Sequence, residues 1–142
     1  MSKGNTFEND LLGLIFNGTA IANLADDAAT SPLTNLYVSL HTADPGEAGD
    51  QTTSECAYTS YARVAVARTS GGWTITGNSV SPAANIDFPA ATGGTETATH
   101  VAIGTASTGT GKILYSGAIT PNISISTGVT PRIGTGSTIT ED

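Results

Sequence analysis

From Asn35 to the C-terminus the chain runs in short alternating segments separated by turn residues, and this punctuation narrows the fold more than any other feature. In Asn35-Leu-Tyr-Val-Ser-Leu-His-Thr42, Leu36, Val38 and Leu40 share one face, and Tyr37, Ser39 and His41 share the other. That period of two is the mark of a strand. Ala43-Asp-Pro-Gly46 follows as a turn, and residues 46–57 read as an acidic loop. Tyr61 to Arg68 alternates again, with Val64 and Val66 on one face and Arg63 sharing a face with Tyr61. Beyond Gly71-Gly72, Trp73 to Val80 reads as one strand, and Ile86 and Phe88 mark a short extended piece. Ala98 to Thr105 reads as a strand, and Thr108-Gly-Thr-Gly111 as a hairpin turn. Ile113 to Ile119, Asn122 to Ser126, Val129 to Ile133 and Thr138 to Thr140 complete the set. About seven to nine strands, with turns roughly every 8–12 residues, predict a mainly β, antiparallel β-sandwich of jelly-roll-like kind.

The N-terminal part follows a different period. Phe7, Leu11, Leu14 and Ile15 fall at i, i+4, i+7 and i+8, one face of a helix. Asn5 or Thr6 can cap its start, Glu8 and Asp10 suit its first turn, and Asn17-Gly18 is a stop. A second helical turn is expected over 20–28. The expected organisation is a single domain. Residues 1–34 form an arm and helix packed on or anchoring it, and residues 35–142 form the sandwich.

Composition agrees and also excludes. Only 12% of residues are charged, against about 25% in an average domain; Thr, Ser, Asn and Gly supply the polarity. Thr favours pleated surfaces. The net charge of −7 opposes a phosphate backbone, so no nucleic-acid partner is expected. Five basic residues make no polybasic membrane patch, and no apolar stretch reaches the roughly 20 residues of a membrane helix, so no membrane partner is expected. The N-terminus shows no secretory pattern, so synthesis and folding in a cytoplasm are expected. Cys56 is the sole cysteine. It excludes an intrachain disulfide and reads as a small packed side chain.

Candidate chemistry is sparse. His41 and His100 lie in strands without a Gly-x-Ser-x-Gly elbow. Asp44, Glu47, Asp50 and Glu55 form the one acidic cluster. A calcium loop is its sharp reading and a solvated loop its bland one, and the spacing does not fit an EF-hand. Gly104, Gly109 and Gly111 lack the ending of a P-loop and read as hairpin glycines. Trp73 can stack on a sugar, but a lone Trp beside a Gly-Gly turn more often packs on a core edge. No pair of carboxylates is recognisable as a glycosidase pair. No catalytic residue, cofactor or metal ligand is therefore assigned, and the chain is not expected to be an enzyme. The candidate contact residues for a subunit or particle surface are Phe7, Leu11, Leu14 and Ile15 on the helix, and Tyr37 and His41 on the first strand.

Several segments, read in order, resemble a family of small virion proteins of tailed bacteriophages, often labelled tail-fibre proteins. They are Phe16-Asn-Gly-Thr19, Leu36-Tyr-Val-Ser-Leu-His-Thr-Ala-Asp-Pro-Gly46, Tyr61-Ala-Arg-Val-Ala-Val66, Ile86-Asp-Phe-Pro-Ala-Ala91, Ala98-Thr-His-Val-Ala-Ile103 and Ile113-Leu-Tyr-Ser-Gly-Ala118. The resemblance implies a virion structural protein with no catalytic motif. Related small β proteins decorate phage heads, and this chain shows no coiled-coil heptads or fibrous repeat. The expected role is a capsid decoration (cement) protein on the outer shell, a homotrimer bridging subunits of the major capsid protein. A tail-fibre or tail-tip component that binds a host surface is the alternative.

Overall fold

Asn5–Asn17 form helix α1, which starts and stops where the capping signals placed it. Gly18 carries a φ of 65°, the left-handed conformation that ends helices. The terminal carbonyls are not left to water. Arg68 donates from Nε to the Ile15 carbonyl at 2.6 Å and from Nη2 to the Leu14 carbonyl. A cation there satisfies orphaned acceptors and opposes the negative end of the helix dipole. The buried face of α1 is Glu8, Leu12 and Phe16. Phe7, Leu11, Leu14 and Ile15, expected either to pack on the domain or to contact a particle surface, lie to one side of that face: Phe7 is 39% exposed, and Leu11, Leu14 and Ile15 are half-buried. The larger ring decides the orientation, because Phe16 meets Trp73 edge to face at 4.8 Å.

The computed structural model describes Lys3, residues 5–21 and residues 32–141. The second helical turn expected over 20–28 falls almost wholly outside them, as does most of the arm at 1–4. The chain divides into two compact units. The first comprises Met1–Asn35, Ala67–Asn85 and Gly134–Asp142. In it α1 packs on β3 (Trp73–Thr76) and β4 (Ser79–Pro82), which form a sheet with β9 (Ile139–Thr140) in the order β3-β4-β9. Leu12, Phe16, Trp73 and Val80 are its core, each no more than 1% exposed. Trp73 therefore packs, as the blander reading had it. The strand expected over 73–80 is instead a hairpin: Thr76 pairs with Ser79 across Gly77-Asn78, and Gly77 has a φ of 61°. A positive φ at the first central residue of a two-residue hairpin loop suits glycine.

The second unit, Leu36–Val66 and Ile86–Ile133, holds the larger sheet. Its strand order is β2 (Val64–Ala67), β1 (Asn35–His41), β6 (Glu96–Gly104), β7 (Ile113–Ile125). β5 (Ile86–Asp87) pairs separately with β8 (Arg132–Ile133). The two strands expected at 113–119 and 122–126 are the single β7. It stays on β6 because the register shifts: Ala98 faces Ile123 and His100 faces Ala118, so Ile119–Asn122 bulge opposite Thr99. The core is Leu36, Val38, Leu40, Tyr58, Phe88, Ala98, Ala102 and Ile125.

The fold is thus the mainly β, antiparallel class expected, with one N-terminal helix and nine strands among the described residues. No sheet among them closes into a barrel, and the arrangement is consistent with a β-sandwich.

Candidate functional site

β1 is where the expected pattern of apolar-in and polar-out fails. It is an interior strand, and Ser39 and His41 on its polar face are both 0% exposed. A buried polar group needs partners, and here they come from the loop that follows. His41 Nδ1 lies 2.8 Å from the Thr53 carbonyl, which can only accept, so Nδ1 carries the proton. His41 Nε2 is then free to accept from Ser39 Oγ at 2.9 Å. His41 was expected among the surface contact residues. Its complete burial in this chain removes it from that set, whereas Tyr37 is half-buried and stays open to a contact.

Four further residues continue this polar seam. Gln51, 0% exposed, donates from Nε2 to the Tyr37 carbonyl at 3.2 Å and accepts from the Ala106 amide at 3.0 Å. Its own amide donates to the Gly111 carbonyl at 2.9 Å. Gly104 and Gly111 lie against its side chain, where a Cβ at either would overlap the Gln51 carboxamide. Glu55 accepts a forked pair from Arg63, Nε to Oε1 at 2.7 Å and Nη2 to Oε2 at 2.8 Å. The Tyr61 hydroxyl donates to the same Oε1 at 2.9 Å and accepts from the Leu40 amide at 3.0 Å. Arg63 also donates to the Ala106 and Gly109 carbonyls at 2.9 and 2.8 Å. The acidic loop and the β6–β7 hairpin tip are therefore held to the sheet by hydrogen bonds that are mostly part-buried, many of them charge-assisted.

The electrostatics follow the burial. Desolvation lowers the pKa of His41, so the neutral ring is the folded form. Desolvation raises Tyr61, while the Glu55 carboxylate favours the charged Arg63. Burial pushes the Cys56 thiol up to about 12, with Glu96 and Glu55 adding to it. A thiol that is 2% exposed and so weakly acidic is a poor nucleophile. Native protein is expected to react with iodoacetamide only at a rate set by unfolding, whereas denatured protein reacts at once. Rapid labelling of the folded chain, followed by mass spectrometry, would contradict that assignment.

The Ser39–His41 pair has the spacing of a nucleophile and its base, yet both side chains are sealed and no acyl group could reach Ser39 Oγ. The carboxylates of the acidic loop do not converge either. Asp44 accepts from the Gly46 amide, Asp50 from the amide and hydroxyl of Thr52, and Glu55 is committed to Arg63. Among the described residues no group of three such side chains is placed to hold a metal.

The buried imidazole gives the fold an acid sensitivity. The unfolded ring titrates near 6.5 and the folded ring below that. Between the two, the unfolded chain binds more protons, so stability falls as pH drops below 6.5. Urea midpoints measured from about pH 8 to pH 5 are expected to decline through this window in wild type. The decline should flatten in His41→Gln. Parallel curves for the two proteins would refute a neutral buried His41.

Residues 2–141 match the family described as podophage GP4 fiber I protein gp80. No curated protein matches the chain.

Proposed function

The chain belongs to the podophage GP4 fiber I protein gp80 family, a family of phage virion proteins, and from that premise we propose that it serves as a structural component of a virion fibre, in the tail-fibre class. The observation that carries this reading is the span of the family match, which runs over nearly the whole chain. It shifts the weight from the capsid-cement role expected from sequence to the fibre role held as the alternative. A structural rather than catalytic role is supported by the burial of the Ser39–His41 pair and by the commitment of Glu55 to Arg63. Cementing of major capsid protein subunits is the second reading. It is favoured by the two compact units, each with its own buried core instead of a fibrous repeat.

Immunogold labelling of intact virions with antibody against the chain separates the two. Gold confined to fibres, with a low copy number, is the expected outcome. Gold spread over the whole head, with copies approaching those of the shell subunit, would overturn the fibre reading in favour of cement.

A further inference from the structure

We propose that Asn17 is a deamidation site that helix α1 holds in check, and that its conversion to aspartate or isoaspartate unfastens the C-terminal end of the helix. Asn17 is the one asparagine in the chain followed by glycine. Glycine lacks a Cβ, so in an open chain the Gly18 nitrogen reaches the Asn17 carboxamide unobstructed. The Gly18 N–H gives its proton to solvent, and the nitrogen attacks Asn17 Cγ. The new N–C bond closes a succinimide ring. The Cγ–Nδ2 bond breaks, and Nδ2 takes up a solvent proton and leaves as ammonia. Water then opens the ring at either carbonyl. One opening gives aspartate; the other reroutes the main chain through the side chain and gives isoaspartate.

The fold opposes that step at two points. Asn17 is the last residue of α1, and a helical ψ of about −42° turns the following nitrogen away from the side chain. Asn17 Oδ1 is buried and has no hydrogen-bond donor among the described residues, so the charge that develops on it during attack goes unstabilised. Both restraints last while the helix end stays tied. The ties are the Arg68 guanidinium on the Leu14 and Ile15 carbonyls and the Thr19 amide on the Gly13 carbonyl at 3.0 Å. Local opening costs less than global unfolding, and opening of these ties is the gate to the reaction. The product keeps the gate open. A carboxylate at residue 17 lies at the negative end of the helix dipole, in a place that offers the present oxygen no donor. Arg68 is the cation at hand, since a Cβ on Gly18 would stand 3.9 Å from its Cζ. The new carboxylate therefore competes with the Leu14 and Ile15 carbonyls for the guanidinium. Isoaspartate also lengthens the main chain by a methylene directly before the left-handed Gly18. An opening that ends in reaction is thus recorded permanently in the chain. The inference rests on the structure of the helix end and not on the fibre reading.

Peptide mapping by mass spectrometry of the full chain, held in mildly alkaline buffer with and without urea, tests the restraint. Conversion at Asn17 is expected to run at least about tenfold slower in native than in unfolded protein. Arg68→Ala, which takes the guanidinium from the helix end, should raise the native rate and leave the unfolded rate as it is. Wild type in urea below its unfolding transition should show the same rise, a reading that holds even where Arg68→Ala does not fold. Equal native and unfolded rates would overturn the restraint, as would a native rate that neither change raises. Other asparagines converting ahead of Asn17 in the unfolded chain would overturn the site. Hydrogen–deuterium exchange tests the consequence, on Asn17→Asp and on deamidated wild type separated by its extra negative charge. Amides of α1 should lose protection in both, while those of β1 and β6 keep it. Protection unchanged in α1, or lost equally in β1 and β6, would overturn the unfastening.

Discussion

Alanine at Gly104 or Gly111 is expected to destabilise the protein by roughly 2–4 kcal/mol, and most of that loss at Gly104 is expected to disappear when Gln51 is also alanine. The added methyl itself is small. It matters because the space is already filled by the Gln51 carboxamide, whose side chain is 0% exposed and has nowhere to withdraw. Displacing it strands the Tyr37 carbonyl and the Ala106 amide, whose bonds to it are part-buried. Each buried orphan costs about 1–3 kcal/mol. Gln51→Ala strands the same two groups and opens a void. The second substitution then adds a methyl to empty space and loses nothing further, so the double-mutant cycle should show strong coupling. At Gly111 the recovery should be partial, because a Cβ there also meets Ala106 Cβ at 2.8 Å. Chemical denaturation of the four proteins in each cycle measures this. Additive losses at Gly104 would show that the glycine serves the backbone and not Gln51.

Removing the Arg63 guanidinium should cost still more, about 3–5 kcal/mol for Arg63→Met. The side chain is 3% exposed and ion-paired to Glu55, which is 17% exposed. Truncation leaves the Glu55 carboxylate and the Ala106 and Gly109 carbonyls without their donor. Arg63→Lys should recover only part, since an ammonium cannot donate in the same fork. Replacing both partners, Arg63→Met with Glu55→Leu, removes the unpaired charge and should recover part as well. It still leaves the part-buried Ala106 carbonyl without its donor, while the exposed Gly109 carbonyl turns to water. A loss below about 1 kcal/mol for Arg63→Met would mean that the pair behaves like an exposed surface bridge.

How much of this is legible in the sequence varies by feature. The strands at 35–41 and 96–104 were, because alternation and flanking turns agree. The hairpin at Gly77-Asn78 left a weaker trace. The buried residues are Trp73 before the turn and Val80 and Pro82 after it, so the phase of alternation slips by one across it. A helix stripe could be read at Phe7, Leu11, Leu14 and Ile15, but not the pull of Trp73, some sixty residues further on, that turned Phe16 inward. Among the site residues, the shared face of Tyr61 and Arg63 was visible, and both do reach Glu55. Gln51 was not. A glutamine between acids in a loop looks solvated, and only the glycines on a distant hairpin make room for its burial.

The fastening of the loop after β1 also bears on what evolution or an engineer could do with it. Loops usually absorb insertions and sequence drift. Here Thr42 and Cys56 are tied back at the two ends, by the Ser54 and Leu40 carbonyls at 2.8 Å, and Gln51 anchors the middle. At the exposed stretch Gly46–Ala48 the ties are local: the Gly46 amide donates to Asp44 at 2.9 Å and the Gly49 amide to the Gly46 carbonyl at 3.2 Å. A short epitope placed between Glu47 and Ala48 should cost little more than the one turn closed by the Gly49 amide on the Gly46 carbonyl, whereas the same insertion at 51–55 would unseat the core. Variation in this loop is thus channelled to a three-residue tip, and the rest of it changes only as the hairpin beneath it changes.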